Sequence, residues 1–208
     1  MRTLTILIAA FTFCCKTLGQ TNQGNTFTTF IIDTTLNSTL AKAKLKSEFN
    51  LPMVADGFWY FIDKKNFKEF VSKTGDPTTF FDTLQTLTNV VCDCMIKKDT
   101  IYLQGGIAYG GGMGFDLKII GNLFNGKIWL AGKGYRTNKS SEFIDEILLN
   151  SVKQALKIQS RDSLRFDKKM IGEVILESEN YFEKDDRVPN KFYLKVLFGC
   201  KLDDVIVL

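Results

Sequence analysis

Between Ile101 and Tyr135, apolar positions alternate with polar or very small ones in three runs: Ile101 to Tyr109, Met113 to Ile120, and Lys127 to Lys133. A period of two sends successive side chains to opposite faces of a pleated strand, so each run reads as a strand with one face turned inward. The runs are separated by Gly110-Gly111-Gly112 and by Gly121-Asn122 through Asn125-Gly126. Asn-Gly between alternating runs signals a hairpin, because both residues tolerate positive φ. The pattern predicts an antiparallel three-strand meander around which the other segments are arranged.

Upstream, Thr26 to Ile32 is rich in β-branched and aromatic residues and reads as a strand, and Gly57 to Ile62 as a short aromatic one. Residues 33–50 are ambiguous: Leu36, Leu40 and Ala43 recur at helical spacing among threonines that disfavour a helix. Asp63 to Lys73 predicts a helix with Phe67, Phe70 and Val71 on one face. Asp76-Pro77 starts a second, continued by Phe80, Leu84, Leu87 and Val91. Downstream, residues 140–159 fit two patterns. Phe143, Ile144, Ile147, Leu148, Ser151, Val152 and Ala155 make a helical face, whereas Val152 to Ile158 alternates as a strand does. A helical turn giving way to a strand near Asn150 accommodates both. Ser163 to Phe166, Ile171 to Ser178, Lys191 to Lys201 and Val205 to Leu208 read as strands, and Glu179 to Asn190 as an exposed loop. The expected fold is mainly β, a β-sandwich or partly closed barrel built on the antiparallel meander, with one to three short helices; α+β is the alternative.

Residues 1–19 have the layout of a secretory signal peptide: Arg2, an apolar run from Leu4 to Phe13, and small residues at Thr17 and Gly19. The run is shorter than the ~20 residues of a spanning helix, so no transmembrane span is expected. Cleavage after Gly19 leaves a single β-rich domain, residues 20–208, exported to the periplasm or the extracellular space. Lipid modification at Cys14 or Cys15 is the alternative, though Phe13 or Cys14 would then occupy a position that calls for a small residue.

Composition alters this picture at three points. Removing Arg2 and Lys16 takes the net charge from +4 to +2, too little to hold a phosphate backbone, so nucleic acid is not an expected partner. The chain has no His, which excludes a Ser-His-Asp triad, a Cys-His pair and His-based zinc sites. Cys92, Cys94 and Cys200 remain after processing, and export permits a disulfide from Cys200 to Cys92 or Cys94. No metal or cofactor is expected.

The glycine motifs lack the context that phosphate binding needs. Gly110 to Gly114 does not lead into a helix. Gly121 to Lys127 follows G-x-x-x-x-G-K, but Ile128 stands where a hydroxyl should follow. Lys73-Thr74-Gly75 has no accompanying Ser-x-x-Lys anywhere in the chain. Asn37-Ser38-Thr39 and Asn138-Lys139-Ser140 fit the glycosylation pattern and decide nothing alone. Asp116 with Glu173 or Glu177 supplies carboxylates for a glycan hydrolase, but no spacing brings them together, and no catalytic residue is assigned. Trp129 falls in phase with Lys127 and Lys133 on the polar face of its strand, and Tyr109 ends the first run. These make Trp129, Tyr109 and Lys127 candidate binding residues. The function expected is a non-enzymatic binding or structural domain whose partner is a protein, a glycan or a small ligand. The alternatives are a carboxylate-dependent hydrolase and a small-ligand carrier.

Overall fold

The computed structural model describes residues 26–40, 57–60, 87–108 and 112–204. The meander is present as β5 (Thr100–Ala108), β6 (Gly112–Ile120) and β7 (Leu123–Thr137), paired antiparallel in continuous register from Thr100↔Ile120 and Ile120↔Leu123. The β6–β7 turn is tighter than the sequence indicates. Only Gly121-Asn122 lie outside the ladder, with Gly121 at φ 57°. Asn125-Gly126, read as turn residues, belong to β7. Gly126 is glycine because the facing layer approaches there: a Cβ would lie 2.6 Å from Leu176 Cδ2.

Long strands flank the meander, and each belongs to two layers. In β4 (Leu87–Lys97), residues 87–90 pair with β3 (Gly57–Tyr60), while residues 91–97 pair with β5. In β8 (Ile144–Ile158), residues 144–150 pair with β7, while residues 151–158 pair with β9 (Lys169–Ser178). β9 pairs with β11 (Tyr193–Lys201), and β11 pairs back to β3. Following the ladders from β3 through β4, β5, β6, β7, β8, β9 and β11 therefore returns to β3, all antiparallel. This is a flattened, curled barrel whose corners are strands passing from a front layer (β4 to β8) to a back layer (β8, β9, β11, β3, β4). The expectation of a mainly β, partly closed barrel on an antiparallel meander is met.

Side chains of alternate residues fill the space between the layers. Phe115, Leu117 and Ile119 of β6 and Phe124, Ile128 and Leu130 of β7 meet Leu156, Val174, Leu176, Leu194, Val196 and Phe198, all buried. The Phe115 and Phe198 rings lie 6.4 Å apart across the layers. Outward positions carry Lys118, Lys127, Lys153 and Lys157. The outer surface mixes these lysines with exposed apolar side chains such as Tyr102, Leu148 and Val152. Among the described residues, no helix is long and apolar enough to cross a membrane.

β3 is short, and the seam beyond it is closed differently. There Cys94 of β4 and Cys200 of β11 form a disulfide, and β12 (Asp203–Asp204) runs parallel to β4 beside Met95 and Ile96. Cys92 and Cys94 both point inward, opposite Gly105 and Leu103, as two-residue spacing on a strand requires. Cys94 is the one level with Cys200, so the open choice between them resolves to Cys94.

At the N-terminal side, β1 (Thr28–Thr29) pairs with β7 and β2 (Ile31–Ile32) runs parallel to the end of β8. The predicted strand over Thr26 to Ile32 is thus split at buried Phe30. Asp33 accepts hydrogen bonds from the Thr35 amide and hydroxyl, and residues 36–40 are helical. Leu36 and Leu40 pack on Ile171 and Leu197, covering the outer side of the back layer.

Four expectations are corrected. Leu87 to Val91, read as the end of a helix, begin strand β4. Ser163 to Phe166, read as a strand, fall at a 3₁₀ turn over Arg161–Leu164, which Ser160 caps by accepting from the Ser163 amide. Glu179 to Asn190 is not wholly exposed loop: it contains β10 (Tyr181–Glu183), paired with the end of β7, and Tyr181 is fully buried. Residues 140–159 contain no helical turn. The predicted helices over 63–73 and 76–86, Val205 to Leu208 and residues 1–19 lie outside the described residues.

Candidate functional site

The front layer forks where β8 leaves β7. Their pairing ends at Lys127↔Asn150, and β8 shifts register between Ser151 and Lys153 as it joins β9. β1 takes up the same edge of β7 only at Phe124. The gap exposes the Gly126 amide, and Gln154 fills it. Its Oε1 accepts from Gly126 N at 2.8 Å, and its Nε2 donates to Thr26 O at 2.7 Å and Thr28 Oγ1 at 2.8 Å. On the other bank, Glu179 Oε1 accepts from the Asn150 amide at 3.0 Å and from Asn150 Nδ2 at 2.9 Å, and Lys139 stands 4.0 Å from Glu179.

The fork holds an open cleft of about 720 Å³ lined by Thr26, Thr28, Lys139, Asn150, Ser151, Val152, Lys153, Gln154 and Glu179. A second, of about 320 Å³, shares Lys139, Val152 and Glu179 with it and continues past Asn138 and Asn180 to Lys191. The two make one elongated groove whose lining is hydroxyl, amide, ammonium and carboxylate, with Val152 as the apolar member. The Ser151 hydroxyl is buried here with no hydrogen-bond partner in the protein. Because one amide side chain completes three backbone and side-chain bonds, Gln154→Ala should lower unfolding free energy by about 1–3 kcal/mol, read by urea denaturation.

Of the candidate binding residues, Lys127 and Trp129 lie beside this groove, and Tyr109 is outside the described residues. Lys127 is the ladder partner of Asn150, and Trp129 sits one outward position further along β7, opposite Gly114 and Leu148. The indole is laid against two glycines. A Cβ on Gly114 would meet three indole atoms at 2.1–2.3 Å, and one on Gly106 would meet Cζ2 at 2.3 Å. These glycines are outward strand positions stripped of side chains so that the ring can lie on the sheet, which answers the phosphate reading of the glycine run. The ring remains partly exposed.

Asp116 stands in the row between Gln104 and Lys127. Burial raises its pKa, opposed by the charge of Lys127 and a hydrogen bond from Gln104. Its Oδ1 is buried with no partner. A carboxyl with a raised folded-state pKa stabilises the fold in acid and loses that contribution as pH rises through the carboxylate range. Asp116→Asn should therefore raise the melting temperature at pH 7, and the gain should vanish below the ordinary carboxylate pKa of ~4. An unchanged gain across that range would show that the charge is not what burial penalises.

The three carboxylates that could serve hydrolysis are not brought together. Asp116 faces outward on the front layer, and Glu173 and Glu177 face outward on the back layer. The two glutamates are four residues apart on β9, about 13 Å along a strand at ~3.3 Å per residue. Hydrolytic pairs sit within ~5–9.5 Å. Each glutamate is also flanked by two lysines. Glu173 lies 3.3 Å from Lys157 and 3.5 Å from Lys195, and Glu177 pairs with Lys191 and, at 3.3 Å, with Lys153. Lys153 approaches Glu177 Oε2 as an ion pair without hydrogen-bond alignment. Among the described residues, no group of His, Cys, Asp and Glu is placed to hold a metal ion.

The chain defines a class by its architecture, an up-and-down antiparallel barrel with a packed interior and a polar groove on its wall. Compared with known proteins, it matches no family model, no curated protein and no solved structure.

Reading the sequence alone misses Asn150, Ser151, Gln154, Glu179 and Lys139. A signal was present in the conflict over residues 140–159. Odd positions Ile147 and Leu149 face the core before the register shift, and even positions Leu156 and Ile158 face it afterwards. Two alternations out of phase imitate a helical face, and the slip between them marks the bulge where the groove opens.

Proposed function

We propose that this protein is an exported, non-enzymatic binding domain of the cell envelope or extracellular space, and that its partner engages the groove at the β7–β8 fork. The observation that carries the reading is the groove itself. It is concave, polar and built where the β7–β8 ladder ends, with the ladder's loose ends tied by Gln154 and Glu179. The Cys94–Cys200 disulfide supports export, since such bonds persist in oxidising compartments. The hydrolase alternative loses its support from the separation of Asp116 from the lysine-paired Glu173 and Glu177. A small-ligand carrier would hold its cargo between the layers, where Phe115, Ile128, Val174 and Phe198 are already packed.

The test is a photo-crosslinking side chain at Val152, which is 54% exposed at the centre of the groove, in the native host. A crosslinked product in the envelope or medium is expected from position 152. None is expected from Phe166, equally exposed near the opposite end of β9. Crosslinking from Phe166 alone would move the partner elsewhere. Mass spectrometry of the same material should find chains beginning at Gln20. A cytoplasmic chain retaining residues 1–19 would remove export from the reading, and a lipid-modified Cys14 or Cys15 would replace secretion with anchoring.

A further inference from the structure

The chemistry of the groove and of the sheet beside it narrows the partner. The lining holds hydroxyls of Thr26, Thr28 and Ser151, amides of Asn150 and Gln154, one carboxylate and two ammonium groups, of which Gln154, Thr28, Asn150 and Glu179 also bond one another or the backbone. Most of the charge is paired: Lys139 faces Glu179, while Lys153 and Lys191 share Glu177, which leaves an excess of one positive charge. A strongly charged ligand would find only a weak net field to enter. An apolar peptide anchor would find no apolar pocket to fill, for Val152 is the one aliphatic side chain of the lining. Bonding groups of both kinds, spread along an open trench with little excess charge, suit a ligand covered in hydroxyls.

The neighbouring strip adds the second element such a ligand uses. Lys127, across the ladder from Asn150, connects the groove to Trp129, two residues or about 7 Å further along β7. Trp129 rests on Gly106 and Gly114, whose missing side chains leave the space that the indole occupies. A flat indole against a glycine floor presents an apolar plate on which the C–H face of a sugar ring can stack. The plate's distance from the groove matches the advance of one or two sugar units. Asp116 Oδ1, Trp129 Nε1 and Ser151 Oγ, all buried without hydrogen-bond partners in the protein, lie along this region, Asp116 opposite Lys127 and Ser151 next to Asn150. Polar atoms left unbonded in a native fold concentrate where a ligand completes them.

We propose that the groove and the Trp129 plate form one extended subsite for a neutral oligosaccharide, with hydroxyls bonded in the fork and one sugar ring stacked on Trp129. This rests on the binding reading above and assigns its ligand class. In the Trp59→Phe chain, Trp129 is the single tryptophan and reports stacking directly, since the sequence holds two. The chain is profiled on immobilised tetra- to hexasaccharides of neutral hexoses, N-acetylhexosamines and uronates, and the tightest binder is titrated by tryptophan fluorescence. A neutral glycan should bind saturably and shift Trp129 emission. Val152→Trp, a change at an exposed residue that lines both clefts, should obstruct the groove where they meet and weaken binding at least tenfold. Trp129→Phe should retain most of the affinity that Trp129→Ala loses, which separates stacking from any effect of Trp129→Ala on folding. Retention of uronates alone, abolished by moderate salt, would overturn the assignment, as would no retention of any glycan or binding that leaves emission unchanged. Release of new reducing ends from a bound glycan would instead overturn the non-enzymatic reading on which the proposal rests.

Discussion

Phe198→Ala should lower the unfolding free energy by about 4 kcal/mol, a loss near the top of the range for truncating one buried side chain. Phe198 is fully buried on β11 and joins the two layers through Phe115. Its ring lies over Gly172, the residue opposite it in the β9–β11 ladder, where a Cβ would come within 2.4 Å of Cζ. Removing the ring therefore opens a cavity floored by backbone, which cannot collapse without pulling β9 and β11 inward. Against a total stability of about 5–15 kcal/mol, the variant should be marginal at 37 °C. Gly172→Ala should also destabilise, by about 1–3 kcal/mol, from overpacking against the same ring. The two changes are coupled: in the Phe198→Ala background, Gly172→Ala should cost much less, the Lys157 carbonyl oxygen at 3.0 Å being the close neighbour that remains. Urea denaturation of the two single variants and the double checks this, and additive losses would show that the ring does not occupy the space above Gly172.

Breaking the Cys94–Cys200 disulfide should cost about 3–4 kcal/mol. The crosslink spans 106 residues, so it removes a large loop's freedom from the unfolded chain. It also holds β4 to β11 beyond the described end of β3, where, among the described residues, the two-residue β12 is the other strand paired with β4. Cys94→Ser or Cys200→Ser should lower the melting temperature by roughly 6–16 °C at ~2–4 °C per kcal/mol for a chain of this size. Reduction of the unmodified protein should do the same, and Cys92→Ser should shift it much less. A non-reducing peptide map should join the Cys94 and Cys200 peptides. A Cys92–Cys200 linkage would mean β4 is displaced by two residues against β5.

The fold class was legible because it rests on local repetition. Alternation from Ile101 to Lys133 and from Ile171 to Ser178 states which faces are buried, and pleated geometry does the rest. Signals that join two effects in one residue were misread. Asn125-Gly126 has hairpin composition, yet Gly126 is small because Leu176 of the opposite layer occupies the space its side chain would need. Leu87 and Val91 hold helical spacing with the residues before them, yet their backbones pair with Tyr60 and Gly106. Tyr181 sits in a charged stretch, yet β7 bends at Gly132 and Gly134, both at positive φ, and covers it.

The candidate site was half visible. Trp129 and Lys127 stood out because an aromatic among lysines breaks the expectation for its face. Gln154, Asn150 and Glu179 did not, because nothing local distinguishes them from solvated residues. The amino-acid sequence by itself determined a mainly β, apolar-cored fold built on a meander, the absence of imidazole chemistry and Cys200 as a candidate partner for Cys92 or Cys94. Tertiary structure alone decided that Cys94 is the partner, that Asp116 and the two β9 glutamates face opposite ways, and that a groove opens where β8 changes layers. The reason is physical: strand pattern is written in neighbours two residues apart, whereas a fork depends on which strand ends first, and that is set by contacts between segments 28 to 128 residues distant.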